Sequence, residues 1–407
     1  MNRLILVITL AAVCGALCAA EPGVKTDRGV YPEPPLPTLP KAGETFVDPT
    51  FGTTILRVTD EADGKDNHLA YSYWPTFNRD ATRFHIQRAG AGWLYALDPK
   101  EFKITGKEPL FPRLPEGGQP SWEDCIWSGE DKDILFAHAG AKLYGLNVAT
   151  KTYALVKDFT RDLEPLGAAA LGQMNKSVDD KVFSFTLRGP APKYAEVACI
   201  AWRRDTDKIV LNRQCLPGYD EVQVDKSGRW LLVKEREGPV ESKAVNLETG
   251  ATEKMTDAAP DFGPGHSDCG HGTVVGAENW QNRVLARKLS DPHRFVTVVD
   301  FKNDWTQPYH VSMLADGDEW ALISNYPKAS TPGVFHGEIF MAATDGSGQV
   351  RRLCHHRVIY KSYWDCPMAN PSRDGRFVIF GSNWGGSDRR DVFILKVPEQ
   401  FVPKGKP

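Results

Sequence analysis

Short apolar runs recur along this chain, and each follows a turn that contains acidic residues or glycine. In the clearest copy, the turn SRDG at residues 372–375 precedes the apolar residues 377–380, and a second apolar run covers residues 391–395. Asp-Gly supplies the positive φ that a tight hairpin turn needs. A continuous apolar run of this length is typical of a strand that is covered on both faces. The pattern therefore predicts short buried β-strands joined by tight turns.

Seven such strand starts recur along the chain, 44 to 57 residues apart. They are Phe84, Ile134, Val182, Trp230, Val274, Trp320 and Phe377. A period of roughly 40–50 residues with several short strands in each period predicts an all-β, seven-bladed β-propeller. Residues 53–59 are strand-like and precede the first repeat, so we expect them to pair into the last blade and close the ring. The alternative is two β-sandwiches, which the even spacing disfavours.

The N-terminal region has two segments outside this repeat. Residues 1–20 carry Arg3, an apolar run and a small-residue cleavage site ending at Ala20, as a signal peptide does. Residues 21–45 contain PEPPLPTLP, which predicts an extended, Pro-rich tether. The propeller is then expected over residues 46–403. The apolar run is short for a membrane span, so we expect a periplasmic or secreted protein after cleavage.

Composition narrows the class of partner. The 407 residues have a net charge of −3 and no block rich in Lys or Arg, which gives no electrostatic case for nucleic acid. We expect a monomer. Six cysteines follow residue 20, and export permits disulfides among them without specifying a pairing.

Histidines are concentrated in the segments that lead into the strand starts. In a propeller the innermost strands line a central channel, and residues that lead into them meet at one mouth. Seven of the ten histidines lie in or near these segments, namely residues 68, 266, 271, 310, 336, 355 and 356. His68 and His310 are each suited to act as a general base or as a metal ligand. The commoner alternative is a buried histidine bonded to a backbone carbonyl.

The sharpest local cluster is His266-x-Asp268-Cys269-x-His271. Imidazole, carboxylate and thiolate groups are ligands for zinc and other divalent transition metals. In an extended strand His266 and Asp268 share one face, so a metal would take one such pair together with a histidine of another blade. The alternative is that these two side chains hydrogen-bond to each other and fix a turn. Five further residues at the predicted mouth are candidates for substrate binding: Trp122, Glu221, Gln223, Tyr363 and Arg188.

The turn-and-strand units at residues 225–232 and 372–383 resemble the SPDG repeats of TolB-type, WD40-like bacterial propellers. Within that group the layout is similar to the oligogalacturonate lyases, which are seven-bladed propellers that cleave uronate oligomers by β-elimination. The resemblance implies that His266 is the base and His310 a ligand of a divalent metal such as Mn, Zn or Ca. It also implies that the protein binds a carbohydrate or a small acidic ligand. In the family, a Gln-x-x-His-x-His run supplies the other ligands, whereas residues 366–371 here read CPMANP. Asp365, Asp268 and His271 are the remaining candidate ligands, with His68 as a second candidate catalytic residue.

Two functions follow from these observations. The first is an enzyme that acts on acidic, uronate-containing oligo- or polysaccharide at the channel mouth, by β-elimination. The second is a non-catalytic propeller that binds a glycan, a peptide or an envelope protein. The histidine-rich mouth favours the first, and the missing Gln-x-x-His-x-His run favours the second.

Overall fold

The computed structural model describes residues 24–121, 124–235, 242–255, 265–278, 281–328 and 331–402. Within these ranges the strands form seven antiparallel sheets, six with four strands and one with five. Successive sheets follow one another in chain order around a ring, so the predicted all-β seven-bladed propeller is confirmed. The predicted signal peptide, residues 1–20, lies outside the described residues.

Each blade runs outward from an inner strand at the channel. The inner strands are Asn67–His68, Ile126–Trp127, Ala170–Lys176, Tyr219–Val224, Gly265–Cys269, Tyr309–Ser312 and Asn370–Pro371. The second strands are Arg83–Arg88, Ile134–Ala139, Val182–Arg188, Trp230–Glu235, Thr273–Glu278, Trp320–Asn325 and Phe377–Ser382. The third strands are Ala91–Asp98, Lys142–Asn147, Glu196–Arg203, Lys243–Asn246, Arg283–Lys288, Glu338–Ala343 and Asp391–Lys396. The outer strands of blades one to six are Lys103–Pro109, Thr152–Asp158, Lys208–Gln214, Thr252–Lys254, Asp291–Asp300 and Val350–His355.

The seven strand starts recognised in the sequence lie at the first or second residue of the second strand of each blade. These strands are separated from the channel by the inner strand. The second strands are the most continuously apolar because they lie between neighbours within the blade and between blades. The inner strands are short and more polar, and three of them contain one of the predicted histidines, His68, His266 or His310. His355 instead ends the outer strand of blade six, with His356 directly after it. The prediction therefore found the correct number of blades from the strands that are easiest to recognise.

Blade seven shows why its apolar run is continuous. Phe377 and Ile379 belong to a buried cluster shared with blade one, whereas Val378 and Phe380 belong to a cluster shared with blade six. Because successive side chains of a strand point to opposite faces, a strand between two blades needs apolar residues at every position.

The ring is closed by the N-terminal strand, as predicted. Thr54–Arg57 pairs antiparallel with the third strand of blade seven, with Leu56 opposite Ile394. Thr45–Val47 adds a fifth strand at the outer edge. Pairing the first strand with the last blade removes an open edge and joins the two ends of the ring.

Helices contribute little to this fold. The described residues contain one short α-helix, Thr160–Leu163, and four single turns of 3₁₀-helix at Glu61–Asp63, Glu164–Leu166, Tyr363–Asp365 and Glu399–Phe401. None of them has the length and apolar character needed to cross a membrane. The six cysteines after residue 20 are free thiols, so the described blades are held together without disulfides.

Residues 24–44 form an extended segment that packs along blades six and seven, and we call it the strap. Arg352 holds its first part by donating from Nη1 to the carbonyl oxygens of Asp27 at 3.1 Å and Gly29 at 3.0 Å. The same guanidinium forms a bidentate pair with Glu338, and both of these side chains are fully buried. Proline has a carbonyl acceptor but no backbone N–H donor. A Pro-rich strap therefore depends on donors from the propeller to hold it in place.

Two more buried arginines hold the rest of the strap. Arg357 donates to the Pro34 carbonyl oxygen at 3.2 Å, and Arg57 donates to the Pro40 carbonyl oxygen at 2.7 Å. Both guanidinium groups are almost completely buried. The strap thus satisfies donors that would otherwise be buried without partners.

The pair between Arg352 and Glu338 gives a stability prediction. Replacing Arg352 with Met leaves the Glu338 carboxylate buried without a counter-charge, and we expect the free energy of unfolding to fall by about 3–5 kcal/mol. The measurement is urea unfolding of the wild type and the variant. The double variant Arg352→Met/Glu338→Leu should recover much of the loss, because no buried charge remains.

The control is Lys302→Met, which removes an exposed ion pair with Asp300. Exposed pairs contribute little, so its change should stay within about 0.5 kcal/mol. An Arg352→Met variant as stable as this control would contradict the stabilising role assigned to the buried Arg352–Glu338 pair.

Candidate functional site

The central channel is crossed by a segment of blade one, residues 69–76, which we call the plug. The Trp74 indole donates from Nε1 to the carbonyl oxygen of Met174 on blade three at 2.9 Å. The Tyr73 hydroxyl donates to the Glu221 carboxylate on blade four. A segment that reaches from one blade to others across the ring must lie over the channel, and we call its outer surface the floor of the mouth.

Three rings meet on this floor. The Tyr71 hydroxyl oxygen lies 2.9 Å from Nδ1 of His266, which begins the inner strand of blade five. The ring of His310, on the inner strand of blade six, lies 4.9 Å from His266 and 5.1 Å from Tyr71, each at nearly a right angle. His266 has a φ of 38°, which is an uncommon backbone conformation for a residue other than glycine. Its imidazole is exposed at the mouth. Two of the histidines singled out in the sequence are therefore brought together.

The three rings differ in their electrostatic surroundings. His310 is buried, and neither of its ring nitrogens has a hydrogen-bond partner in the described part of the chain. Burial and the neighbouring His266 lower the pKa of His310 well below 6.5, so its ring is neutral at physiological pH. Burial, together with Tyr363 and Glu221, raises the pKa of Tyr71 well above 10. A neutral imidazole and a protonated phenol thus flank the exposed imidazole of His266.

More aromatic rings extend from this cluster along the rim. Tyr363 lies 6.2 Å from His310 and 5.5 Å from Trp364, measured between ring centroids. Trp364 stacks at 4.6 Å on His68, which is buried. His68 is therefore separated from His266 and His310 by two aromatic side chains. Its Nδ1 lies 3.2 Å from the Leu69 carbonyl oxygen, the satisfied arrangement that the sequence left open as an alternative.

The other residues of the predicted metal cluster point elsewhere. Asp268 is buried below the floor, where its carboxylate accepts from the backbone N–H groups of Cys269 at 2.8 Å and Met313 at 2.6 Å. Burial raises the pKa of Asp268 to about 7. His271 lies past the end of the inner strand, at the opposite end of the channel, and pairs with Asp318 at 3.1 Å. His266, Asp268 and His271 do not share a centre.

Asp365 lies on the rim, but its carboxylate is engaged in holding a loop. It accepts from the backbone N–H of Ser362 at 2.7 Å and pairs with Arg390 at 2.8 Å. These contacts and the resulting low pKa suit a structural anchor.

A metal ion would need three or four protein ligands of suitable geometry. Among the described residues, no group of three His, Cys, Asp or Glu side chains is arranged to hold one. Of the four predicted ligands, His310, Asp268, His271 and Asp365, only His310 lies beside His266. The described residues at the mouth therefore do not fit a resident divalent metal.

The predicted substrate-binding residues divide into three groups. Glu221 is buried and bonded to Tyr73 and Lys234, and Gln223 is buried deeper on the same inner strand. Tyr363 is on the rim, and Arg188 lies at the mouth end of the second strand of blade three. Trp122 lies outside the described residues.

Arg188 is half-buried beside the inner strand of blade three. It makes no ion pair with a described residue, and its Nε has no hydrogen-bond partner there. Its guanidinium lies against Gly172 of the inner strand, where a Cβ would come within 2.9 Å of Nε. Gly172 therefore permits this placement, and Ala at that position would displace the arginine.

Sequence reasoning missed Tyr71 and Trp364. Tyr71 lies three residues after the predicted His68, and Trp364 directly follows the predicted Tyr363. The available signal was that each segment carries two or more aromatic residues, which is more than a short inner strand can bury. Contacts between distant blades across the channel cannot be recognised from the spacing of neighbouring residues in the sequence.

The rim aromatics are carried by residues 357–366, which we call the mouth loop. Its start is fixed by His356, whose Nε2 donates to the Asn325 carbonyl oxygen while Nδ1 accepts from the N–H of Val358 at 3.0 Å. The next turn is held by Asn383, whose side chain both accepts from and donates to the Ile359 backbone. One neutral tautomer of His356 satisfies both of its contacts.

Comparison with solved structures identifies similar folds. One is an oligogalacturonate lyase in complex with manganese, with a TM-score of 0.65 and 13% identity over 93% of this chain and 99% of that chain. Another is an oligogalacturonate lyase from Vibrio parahaemolyticus, with a TM-score of 0.63 and 14% identity over 89% of this chain and 100% of that chain. The chain matches no protein-family model and no curated protein sequence. At this identity the likeness establishes a shared propeller fold and confirms the predicted resemblance at that level.

His356 gives a pH prediction for the mouth. Burial, with the positive charge of Arg357 nearby, lowers the pKa of His356 to about 3, against 6.5 in the unfolded chain. The unfolded state therefore binds more protons between these values, and stability falls as pH decreases below about 6.5, by about 1.4 kcal/mol per pH unit. His356→Gln keeps a donor and an acceptor but does not titrate, so its stability should depend less steeply on pH.

The measurement is urea unfolding of both proteins at several pH values between 7 and 4. The other buried histidines are present in both proteins, so the difference between the two curves reports the titration of His356 and its interaction with the neighbouring His355. Parallel curves would contradict the assignment.

Proposed function

We propose that the channel mouth binds an acidic, uronate-containing oligosaccharide and cleaves it by β-elimination, with His266 as the base. The observation that carries the proposal is the contact between Tyr71 Oη and His266 Nδ1 at 2.9 Å, on an exposed imidazole over a closed floor. The shared fold with oligogalacturonate lyases is consistent with this reaction class.

β-Elimination needs a base for the proton α to the carboxylate and a donor for the departing oxygen. When Nδ1–H of His266 donates to Tyr71, Nε2 carries the lone pair that accepts the substrate proton. The electrons of the broken C–H bond form a carbon–carbon double bond as the bond to the glycosidic oxygen breaks. Tyr71 gives its phenolic proton to that oxygen and regains one from Nδ1 of His266. The two products together contain every atom of the substrate, and no further reactant is consumed. His266 is left with its proton on Nε2 and returns to the Nδ1–H tautomer by proton exchange with water.

The surroundings of the cluster suit these two roles. The raised pKa of Tyr71 keeps the phenol protonated until the leaving oxygen develops negative charge. The lowered pKa of His310 keeps that ring neutral, so it does not repel the imidazolium that forms on His266. Arg188, which has no ion pair with a described residue, is the proposed partner for a substrate carboxylate.

Because the mouth residues that the structure describes do not fit a resident divalent metal, no step is assigned to one. This misfit is also the observation that favours the second candidate, a non-catalytic propeller whose mouth binds a glycan. The two candidates share the ligand class and differ in whether a bond is broken.

The catalytic roles predict the effect of two variants on galacturonate oligomers. We expect His266→Ala and Tyr71→Phe each to lower kcat at least about 100-fold, because each removes a proton-transfer group. The measurement is the ultraviolet absorbance of the unsaturated product. His293→Ala, on the outer strand of blade five, is the control and should behave as the wild type.

A wild-type protein that binds the oligomers and forms no unsaturated product would overturn the lyase and leave the glycan-binding candidate. Equal activity of the wild type and His266→Ala would remove His266 from the reaction even if cleavage occurs.

The donor set at the mouth predicts the response to chelators. Since His266 and His310 are the only predicted catalytic or metal-binding residues that meet on the floor, we expect product formation to be unchanged after treatment with EDTA. We also expect the purified protein to carry divalent metal at well below one equivalent, measured by plasma mass spectrometry. Loss of activity with EDTA and recovery with manganese would contradict this expectation.

A further inference from the structure

The mouth loop presents three exposed apolar side chains to solvent. Trp364 is 37% exposed, Tyr363 is 43% exposed and Ile359 is 54% exposed. Large aromatic side chains normally bury most of their surface, and a cluster of exposed ones marks an interaction site. This cluster lies next to the Tyr71–His266–His310 floor, because the Tyr363 ring contacts both His310 and Trp364.

The orientation of the indole is fixed from below. The Trp364 ring stacks on the imidazole of His68 at 4.6 Å with an angle of 26° between the rings. His68 is itself buried, so it acts as a fixed support. One face of the indole is covered in this way, and its exposed surface belongs to the other face and the edge.

The loop that carries Trp364 is braced from the blade-seven side. Ser362 and Asp365 cap the 3₁₀-turn Tyr363–Asp365 reciprocally. Arg390 joins this turn to blade one by contacting Asp365 and Asp66, each at 2.8 Å. The exposed rings therefore stand on a backbone whose polar groups are satisfied.

The strap supports the same loop from behind. The Trp384 indole donates to the Pro37 carbonyl oxygen at 3.0 Å, and the N–H of Gly385 donates to the Arg357 carbonyl oxygen at 2.6 Å. Arg357 begins the mouth loop and also donates to the carbonyl oxygen of Pro34. A platform held in place before the ligand arrives loses little conformational entropy on binding.

We propose that Trp364, together with Tyr363, forms a stacking platform for a further pyranose ring of the oligosaccharide, beyond the two rings that the floor holds beside His266. The C–H face of a pyranose is apolar and flat enough to cover an indole, while its hydroxyl groups need polar neighbours at the edge. Asp66 and Arg390, both partly exposed beside the platform, supply them. This inference rests on the proposed function for the identity of the ligand, and it adds a preference for chain length.

A ligand of the shortest length occupies the floor alone, whereas a longer ligand also covers the platform. Affinity should therefore rise in one step when the chain becomes long enough to reach Trp364. The test is calorimetric titration of the full-length mature protein with galacturonate di-, tri-, tetra- and pentasaccharide, under conditions of slow turnover. We expect Trp364→Ala to bind the longer oligomers about tenfold more weakly and to lose the step. Binding of the shortest oligomer should be unchanged, and Trp364→Phe should retain most of the step.

Trp305→Ala is the matched control. Trp305 is 52% exposed and precedes the inner strand of blade six on the same face of the ring. Its Nε1 donates to Asn303 at 2.7 Å, and it has no ring contact with another described aromatic residue. Its replacement should leave the affinity for every oligomer unchanged. Thermal unfolding of each variant checks that the fold is intact.

The outcomes separate this inference from the proposed function. A length-dependent step that is lost in Trp364→Ala supports the platform, even if no unsaturated product forms and the lyase fails. Cleavage by a Trp364→Ala variant that binds every oligomer like the wild type overturns the platform and leaves the lyase. Equal weakening at all lengths contradicts a separate subsite, and a wild-type protein that binds no uronate oligomer overturns both.

Discussion

The plug is the contact on which the rest of the site depends. A seven-bladed ring leaves an open channel, and here residues 69–76 of blade one cross it and bond to blades three, four and five. Asn370 of blade seven adds a contact by accepting from the N–H of Thr76 at 3.1 Å and donating to the Tyr71 carbonyl oxygen at 3.2 Å. One short segment thus ties the inner strands of distant blades together and places Tyr71 against His266. The floor of the mouth and the geometry of its rings follow from that crossing.

The strap is a second constraint, and it acts on the rim. Three buried guanidinium groups, those of Arg352, Arg357 and Arg57, have their donors directed at its carbonyl oxygens. An exposed Pro-rich segment would have little reason to stay on the surface, because it offers few donors and little apolar area. Here the propeller supplies the donors and the strap supplies the acceptors. The mouth loop starts at one of these arginines, so the N-terminal segment and the rim are parts of one structural unit.

The fold could be predicted from the sequence almost completely, and the site only in part. Seven apolar second strands at an even period specify the blades, and the strand at residues 54–57 specifies the closure. His266, His310 and Tyr363 were found because they precede strand starts. Asp268 and His271 were grouped with His266 because all three are close in sequence, yet the inner strand spans the depth of the channel and separates them. The placement of Tyr71 and Trp364 depends on contacts with residues of other blades, and the periodicity of the sequence does not specify such contacts.

The crossing of the channel by blade one has a mechanical consequence. Below Tyr73 a narrow space of about 70 Å³ continues, lined by Asp268, Lys226 and Arg373 among others, which is room for a few water molecules. A space of this size is too small for a polymer chain to pass along the axis of the ring. Any chain that the protein engages must approach, slide and depart on one side of the disc, so a long polymer is gripped at a free end or at a stretch lying flat across the face.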